Sequence, residues 1–259
     1  MLAPSMAVIH KIEIPQNERV LQVLTCIARH GEALSARELV EQTGLPLSTL
    51  YRQLAPLKKW GLVQEHAQTG LYEPGPLAVQ LARGFDQHSW LMNAARDELA
   101  ELVQKSGESV GLLAYVNGQV VCLDMQESQQ ALRCSFAKGR ASSSVRGASA
   151  KALLAYLPPA LQDDLLAQNF LENAPLSSPS LQDLQAQLSR IREQRYATSE
   201  NEVDLGIWGV SAPVFSGRGK LEATLSLMAP AQRIQERKQE FINMTLAAAD
   251  RLSRKLQHP

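Results

Sequence analysis

The chain of 259 residues is 45% hydrophobic and 20% charged, enough for one large domain or two ordinary ones with sizeable cores, and unlike a disordered chain. Its 26 basic and 26 acidic side chains cancel, so net charge gives no pull on a polyanion, and such a partner has to be met by a local patch. Three cysteines, Cys26, Cys122 and Cys134, lack CxxC or metal-finger spacing and read as reduced thiols. The stretch MLAPSMAVIH has neither the basic start nor the apolar run of a signal peptide. No segment reaches the ~18 consecutive apolar residues of a membrane span, so the expectation is a cytoplasmic protein with no membrane partner.

In chain order, NERVLQVLTCIAR places Val20, Leu21, Leu24 and Ile27 on one helical stripe that ends near Gly31. LSARELVEQTG follows, with Ser35 and Glu38 at capping-box spacing and Gly44 as the stop. TGLPLSTLYRQLAPLKKWGLV then reads as a helix opened by Pro46, with Leu47, Leu50, Leu54 and Leu57 at spacings of one helical face. Its other face carries Ser48, Thr49, Arg52 and Gln53 and no acid. Pro56 removes one hydrogen bond and is expected to kink or shorten this helix. LVQEH and LYEP around Thr69-Gly70 form a short hairpin. Helix, helix, tight turn, helix, hairpin is the order of a winged helix-turn-helix, here residues 1–76.

In that arrangement the second helix of the motif enters the major groove and its N-terminal residues reach base edges. The candidate DNA-binding residues are Ser35, Leu47, Ser48, Thr49, Tyr51, Arg52, Gln53, Lys58 and Lys59. Arg52 suits guanine or phosphate, while Lys58, Lys59 and the wing residues Gln64, His66 and Gln68 are expected to meet phosphates. The bland alternative is a three-helix bundle with a solvated polar face.

Leu77 to Val103 is a long helical pattern interrupted by Gly84. Its first part, residues 77–95, is taken as a linker helix whose apolar stripe can pair with a second chain. From Glu108 the period becomes two. SVGLLAYVNGQVVCLD is a hairpin around Asn117-Gly118, and ALRCSF is read as a third strand. A loop of small residues leads into a helix at GASAKALLAYL, helices follow near 160–168 and 181–195, and strands IWGVSAPVF and LEATLSLM flank the turn SGRGK. A last helix is expected from Ala231 to about Leu256. Residues 96–259 are thus an α+β domain with a mostly antiparallel sheet and flanking helices.

GRASSSVRGASAKALLAY carries the chemistry of this second domain. Small residues before a helix leave backbone N–H groups for an anion, Ser142, Ser143, Ser144 and Ser149 add hydroxyls, and Arg146 can clamp a carboxylate. The alternative is a flexible serine loop with a surface arginine. There is no GxSxG elbow, and His10, His30, His66, His88 and His258 all lie outside the second domain's sheet, so no catalytic residue is assigned. Glu200, Glu202 and Asp204 form an acidic run that is read as structural, so no metal and no cofactor are expected.

These segments resemble the IclR-type family of bacterial transcriptional regulators. The likeness rests on TGLPLSTLYRQLAPLKKWGLV, VNGQVVCLD, GASAKALLAYLP and YATSENEVDLGIWGVSAPVF, in that order, and runs from about Glu18 to the final helix. It implies a winged helix-turn-helix joined by a linker helix to a GAF-like effector domain, and dimers or tetramers that bind a double-stranded DNA operator. The resemblance also implies control by a small-molecule effector, here a carboxylate, with Cys134, Ala148, Ser149, Ser199, Ile207 and Gly209 at its pocket. Where the family usually shows Gly-Lys this chain has Ala150-Lys151, and Arg146 replaces a small residue, so a more polar pocket than usual is expected. The resulting expectation is an effector-controlled regulator, a repressor rather than an activator. The alternative is a ligand-binding or enzymatic GAF-like protein whose first domain binds a protein partner.

Overall fold

A computed structural model describes residues 14–142, 145–172 and 181–257. The chain divides into two compact units between Phe85 and Asp86.

The first unit holds α1 (Arg19–His30), α2 (Ala36–Thr43), α3 (Leu47–Lys59), the hairpin strands β1 (Val63–Glu65) and β2 (Tyr72–Pro74), and most of α4 (Leu77–His88). The α2 start is a complete capping box. Glu38 N–H donates to Ser35 Oγ (3.2 Å), and Ser35 N–H donates to Glu38 Oε2 (2.8 Å), so two orphan helix donors are satisfied reciprocally. Gly31 and Gly44 end α1 and α2 at φ 79° and 67°, left-handed values that favour glycine. Val23, Ile27, Leu39, Leu50, Leu54 and Leu57 form the core with Val63 and Tyr72 from the hairpin. Leu34 and Tyr72 exchange both backbone hydrogen bonds, at 2.9 and 2.7 Å, which fastens the wing to the α1–α2 connection.

Two expectations for α3 change. Leu47 is 49% exposed; at 100° per residue it falls about 50° off the centre of the buried Leu50–Leu54–Leu57 stripe, on the flank of the helix. Pro56 does not end α3, which runs on to Lys59, with Trp60 N–H donating to the Pro56 carbonyl at 3.0 Å.

The second unit contains α5 (Trp90–Ser106), β3 (Ser109–Val116), β4 (Gln119–Gln126), β5 (Ala141–Ser142), α6 (Ala148–Leu154), α7 (Pro159–Glu172), α8 (Leu181–Gln194), β6 (Ala197–Glu200), β7 (Ile207–Phe215), β8 (Leu221–Pro230) and α9 (Lys238–Gln257). Its antiparallel sheet runs β5-β4-β3-β8-β7-β6. Because side chains alternate along a strand, the two faces differ. Val110, Leu112, Trp208, Val210, Ala212, Val214, Ala223, Leu225 and Leu227 share one core with Leu99 of α5 and Phe241 and Leu252 of α9. The opposite face presents Leu113, Gly209, Ser211, Ser226 and Met228 toward α6, whose Ala150 and Leu153 pack with Leu113 and Val120. Glu98 of α5, almost fully buried, binds Arg251 (2.8 Å) and Lys255 (2.9 Å) of α9, a charge that burial tolerates because it is doubly paired.

Several boundaries depart from the sequence reading. The 77–103 helix breaks at Ser89, not at Gly84, because the Ser89 hydroxyl caps α5 by accepting from Met92 N–H (3.4 Å). ALRCSF is not a strand. The free edge of β4 is occupied by residues 139–142, through Val120–Ser142 and Val121–Ala141 pairing and by Cys122 N–H donating to the Arg140 carbonyl (3.0 Å). Cys134 therefore lies on no strand. The final helix begins at Lys238, since Ala231–Arg233 is a separate 3₁₀ turn. There Arg233 turns to buried Glu108 in a two-point pair (2.9 and 2.6 Å). The edge strand β6 was not anticipated.

A Cβ on Gly75 would stand 2.3 Å from the Gly61 carbonyl oxygen, whereas one on Gly84, inside α4, meets nothing within 4 Å. Gly75→Ala should therefore destabilise the first unit by about 1–3 kcal/mol. Gly84→Ala should stabilise its helix by about 0.5–1 kcal/mol. Urea unfolding followed by circular dichroism measures both, and the opposite signs are the expectation.

Candidate functional site

With Leu50, Leu54 and Leu57 buried, the α3 direction opposite the core is set by helical geometry. Ser48, Arg52, Ala55 and Lys59 lie along it, all exposed. No acid lies on α3, and among the described residues neither Arg52 nor Lys59 is in an ion pair. This face can accept a polyanion without first breaking an ion pair. Thr49 and Gln53 occupy one flank and are half-buried. Leu47, Tyr51 and Lys58 occupy the other, toward the wing, with Tyr51 half exposed. Ser35 caps the preceding helix, and its hydroxyl donates to Glu38 Oε2 (2.7 Å).

The wing is not a row of free donors. Lys58 Nζ binds Glu65 Oε2 at 2.5 Å, Gln64 donates to Glu73 (2.7 Å), and His66 pairs with Thr69 (3.1 Å). The Lys58 hydrogen bond holds the Glu65 carboxyl below the usual carboxylate range. Tyr72, buried beneath, is pushed up to about 12 by burial and then by the Glu65 charge.

The second site lies on the polar face of the sheet. A pocket of about 70 Å³ is lined by Leu113, Cys122, Phe136, Arg140, Ser142, Arg146, Gly147, Ala148, Ser149, Ala150, Ser199, Val203, Ile207, Gly209, Ser211 and Met228. Ser142, Arg146, Ala148, Ser149, Ser199, Ile207 and Gly209, all singled out from sequence, thus meet around one space, while Ser143 lies outside the described residues. Cys134 does not reach it. That thiol is buried beside Glu108 and Arg233, and burial, then the Glu108 charge, raises its pKa to about 11. The thiol that lines the pocket is Cys122, which pairs with Leu113 across β3–β4.

Most of this wall is hydrocarbon, and three hydroxyls are grouped beside it. Ser149 of α6 lies 3.2 Å from Ser211 and 2.9 Å from Ser226, which are 2.7 Å from each other across β7–β8. A ring of three hydroxyls can satisfy itself and still leave lone pairs free. Arg140 and Arg146 are exposed at the rim, and among the described residues neither has an ion-pair partner. Arg140 rests on the Phe136 ring, 5.4 Å from its centroid.

The loop-to-helix N–H expected to meet a ligand anion is already used. Gly147 N–H donates to Glu202 Oε2 (3.1 Å), and Lys151 Nζ binds Glu202 Oε1 (2.6 Å). Glu200 binds Lys238 instead (3.0 Å). Among the described residues no cluster suits a metal ion, and two carboxylates of the acidic run, Glu200 and Glu202, are held in ion pairs. Leu113, Cys122, Phe136, Arg140, Gly147, Ala150, Val203, Ser211 and Met228 were missed. A signal for Ser211 was present, because Ile207, Gly209 and Ser211 share one face of β7 by period two; Met228 pairs directly with Gly209.

A winged helix-turn-helix with an open cationic face, in one chain with a sheet domain that holds a small arginine-rimmed pocket, defines a DNA-binding protein with a second, cavity-bearing domain. Residues 18–67 match the IclR helix-turn-helix domain and residues 87–254 the bacterial transcriptional regulator IclR C-terminal domain. The chain belongs to the IclR family of bacterial transcriptional regulators. It is 28% identical over 237 residues to the transcriptional repressor IclR of Escherichia coli, covering 89% of this chain and 86% of that one. It is 28% identical over 222 residues to the regulator BhcR of Paracoccus denitrificans, covering 85% and 78%. An IclR family regulator from Brucella abortus has the same fold, with TM-score 0.78 at 19% identity over 95% of this chain and 94% of that one. These relatives are regulators rather than enzymes, and among the described residues no helix is long and apolar enough to cross a membrane.

Burial, then the neighbouring Asp124 charge, raises the Cys122 thiol from 9.0 to about 11, so at pH 8 its thiolate fraction is about a hundredfold below that of a free thiol. Iodoacetamide at pH 8 should label Cys122 at least tenfold more slowly in the folded protein than in urea, as read by peptide mass spectrometry.

Proposed function

We propose that this regulator is a cytoplasmic repressor whose operator affinity is controlled by a small carboxylate bound in the second-unit pocket. The observation that carries the reading is the pairing of two unneutralised sites. One is the Ser48–Arg52–Lys59 stripe on α3; the other is the Arg140–Arg146 rim above a largely apolar cavity. A carboxylate meets guanidinium at the rim, and its short hydrocarbon part fits the wall of Leu113, Val203 and Ile207. The Ser149–Ser211–Ser226 ring offers a hydrogen bond to a substituent such as a hydroxyl or keto oxygen. The repressor assignment is supported by the Escherichia coli relative, itself a transcriptional repressor.

One helix reads only a few base pairs, so the working form is a homodimer or homotetramer on paired half-sites. Val79, Leu81 and Phe85 of α4 and Trp90 of α5 are 72, 58, 42 and 46% exposed, apolar surface that supports pairing with another copy. Effector control requires different affinities for two states of that assembly.

Binding of the protein to its own upstream intergenic DNA and to a random duplex, at two salt concentrations, tests the DNA half. Specific, salt-dependent retention is expected, and Arg52→Ala should cost about 1–3 kcal/mol of discrimination. The effector half is tested by titrating short-chain carboxylates into the DNA complex. Arg146→Ala should weaken the response at least tenfold while leaving effector-free DNA affinity unchanged. Equal, weak binding to both duplexes would favour a protein partner for α3.

A further inference from the structure

The geometry points to Glu65 as a specificity-determining residue: held against Lys58, its carboxylate keeps that ammonium off the DNA backbone and so lowers affinity for DNA of any sequence. The inference rests on α3 being the DNA-facing helix.

Lys58 is the one basic residue of α3 that lies on the wing flank rather than opposite the core. Its ammonium is 2.5 Å from Glu65 Oε2 and lies over the Tyr72 ring, 5.9 Å from the centroid. Glu65 ends β1 and Tyr72 begins β2, directly paired across the hairpin, so both groups around Lys58 come from the wing. The carboxylate stands directly across the hairpin from the buried Tyr72, whose ring also lies beneath the Lys58 ammonium. Lys58 and Glu65 are 42% and 37% exposed. An ion pair that open contributes roughly 0–1 kcal/mol to stability, so it does little for the fold. Its larger consequence is electrostatic. The position that would add a phosphate contact is neutralised from within, and the flexible ammonium is already committed to an anion.

Phosphate contacts raise affinity for every sequence equally, whereas base contacts discriminate. A lysine withheld from phosphate leaves the ratio of operator to random binding in the hands of Ser48 and Arg52. Glu73, the wing's other carboxylate, is paired with uncharged Gln64, so removing its charge releases no cation. It supplies the control.

The experiment measures wild-type, Glu65→Gln, Glu73→Gln, Lys58→Gln and the Glu65→Gln/Lys58→Gln double variant on operator and random duplexes across a salt series. Glu65→Gln keeps the side chain's size and shape opposite Tyr72. It should bind random DNA several-fold more tightly, with the log–log salt slope steeper by about 0.9, and the operator-to-random ratio should fall. Glu73→Gln and Lys58→Gln should each keep the wild-type slope, and the double variant should return to it. An unchanged slope in Glu65→Gln overturns the inference. So does a slope flattened by about 0.9 in Lys58→Gln alone, which would place Lys58 on phosphate already. A loss of operator affinity in Glu65→Gln at constant slope would leave Glu65 a mere wing support and also overturn it. Absence of salt-dependent binding in the wild type would remove the DNA reading of α3 itself, which the other variants cannot mimic.

Discussion

Side chains on a strand must alternate between faces, and in this protein β7 and β8 use that constraint to hold a core and a cavity back to back. Trp208, Val210, Ala212 and Val214 point to one side with Ala223, Leu225 and Leu227, and the helices α5 and α9 close over them. The intervening positions, Gly209, Ser211, Ser226 and Met228, point to the other side, where small or hydroxyl-bearing groups leave room under α6. A one-residue slip of β7 against β8 would put Trp208 into the pocket and Ser211 into the apolar core. The cavity is therefore as firmly specified as the core, because the same register sets both.

The elements that could be read from sequence are those whose ends carry local chemistry. Ser35 and Glu38 mark the α2 start, Gly44 its stop, and Asn117-Gly118 the β3–β4 turn, where both residues have positive φ (54° and 85°). Each signal acts over four residues or fewer, so no distant contact can overrule it. What sequence misjudged depended on competition between distant segments. ALRCSF has strand-like residues, but the β4 edge it needed is taken by Ala141–Ser142. The final helix starts late because Arg233 is drawn to Glu108, 125 positions away in the chain. Leu47 matches the leucine spacing yet lies at the flank of α3, where the buried stripe has already turned aside.

The candidate sites follow the same division. Ile207, Gly209 and Ser211 could be grouped by period two alone, Arg146 by its place just ahead of a helix and Ser149 by its place in that helix's first turn. Phe136, Arg140 and Val203 belong to loops whose approach to the sheet no local pattern encodes. Ion-pair partners were the least legible. Lys58 and Lys59 are adjacent and chemically alike, yet one is bound by a wing carboxylate and the other is not. Their difference arises from the 100° between successive residues of a helix, which turns Lys58 toward β1 and Lys59 toward solvent.

The loop from Asn201 to Gly206 joins two jobs in one short segment. Glu202 is anchored to the Gly147 amide and to Lys151, while its neighbour Val203 forms pocket wall and crowds Gly147 so closely that a Cβ there would lie 2.7 Å from its methyl. Asn201 Oδ1 accepts from Gly206 N–H at 2.7 Å and closes the loop on itself. The sheet needs none of these side chains for its core. The cavity thus has one wall side chain, at position 203, that can be exchanged while its neighbour at 202 keeps the loop anchored and the sheet's core stays as it is.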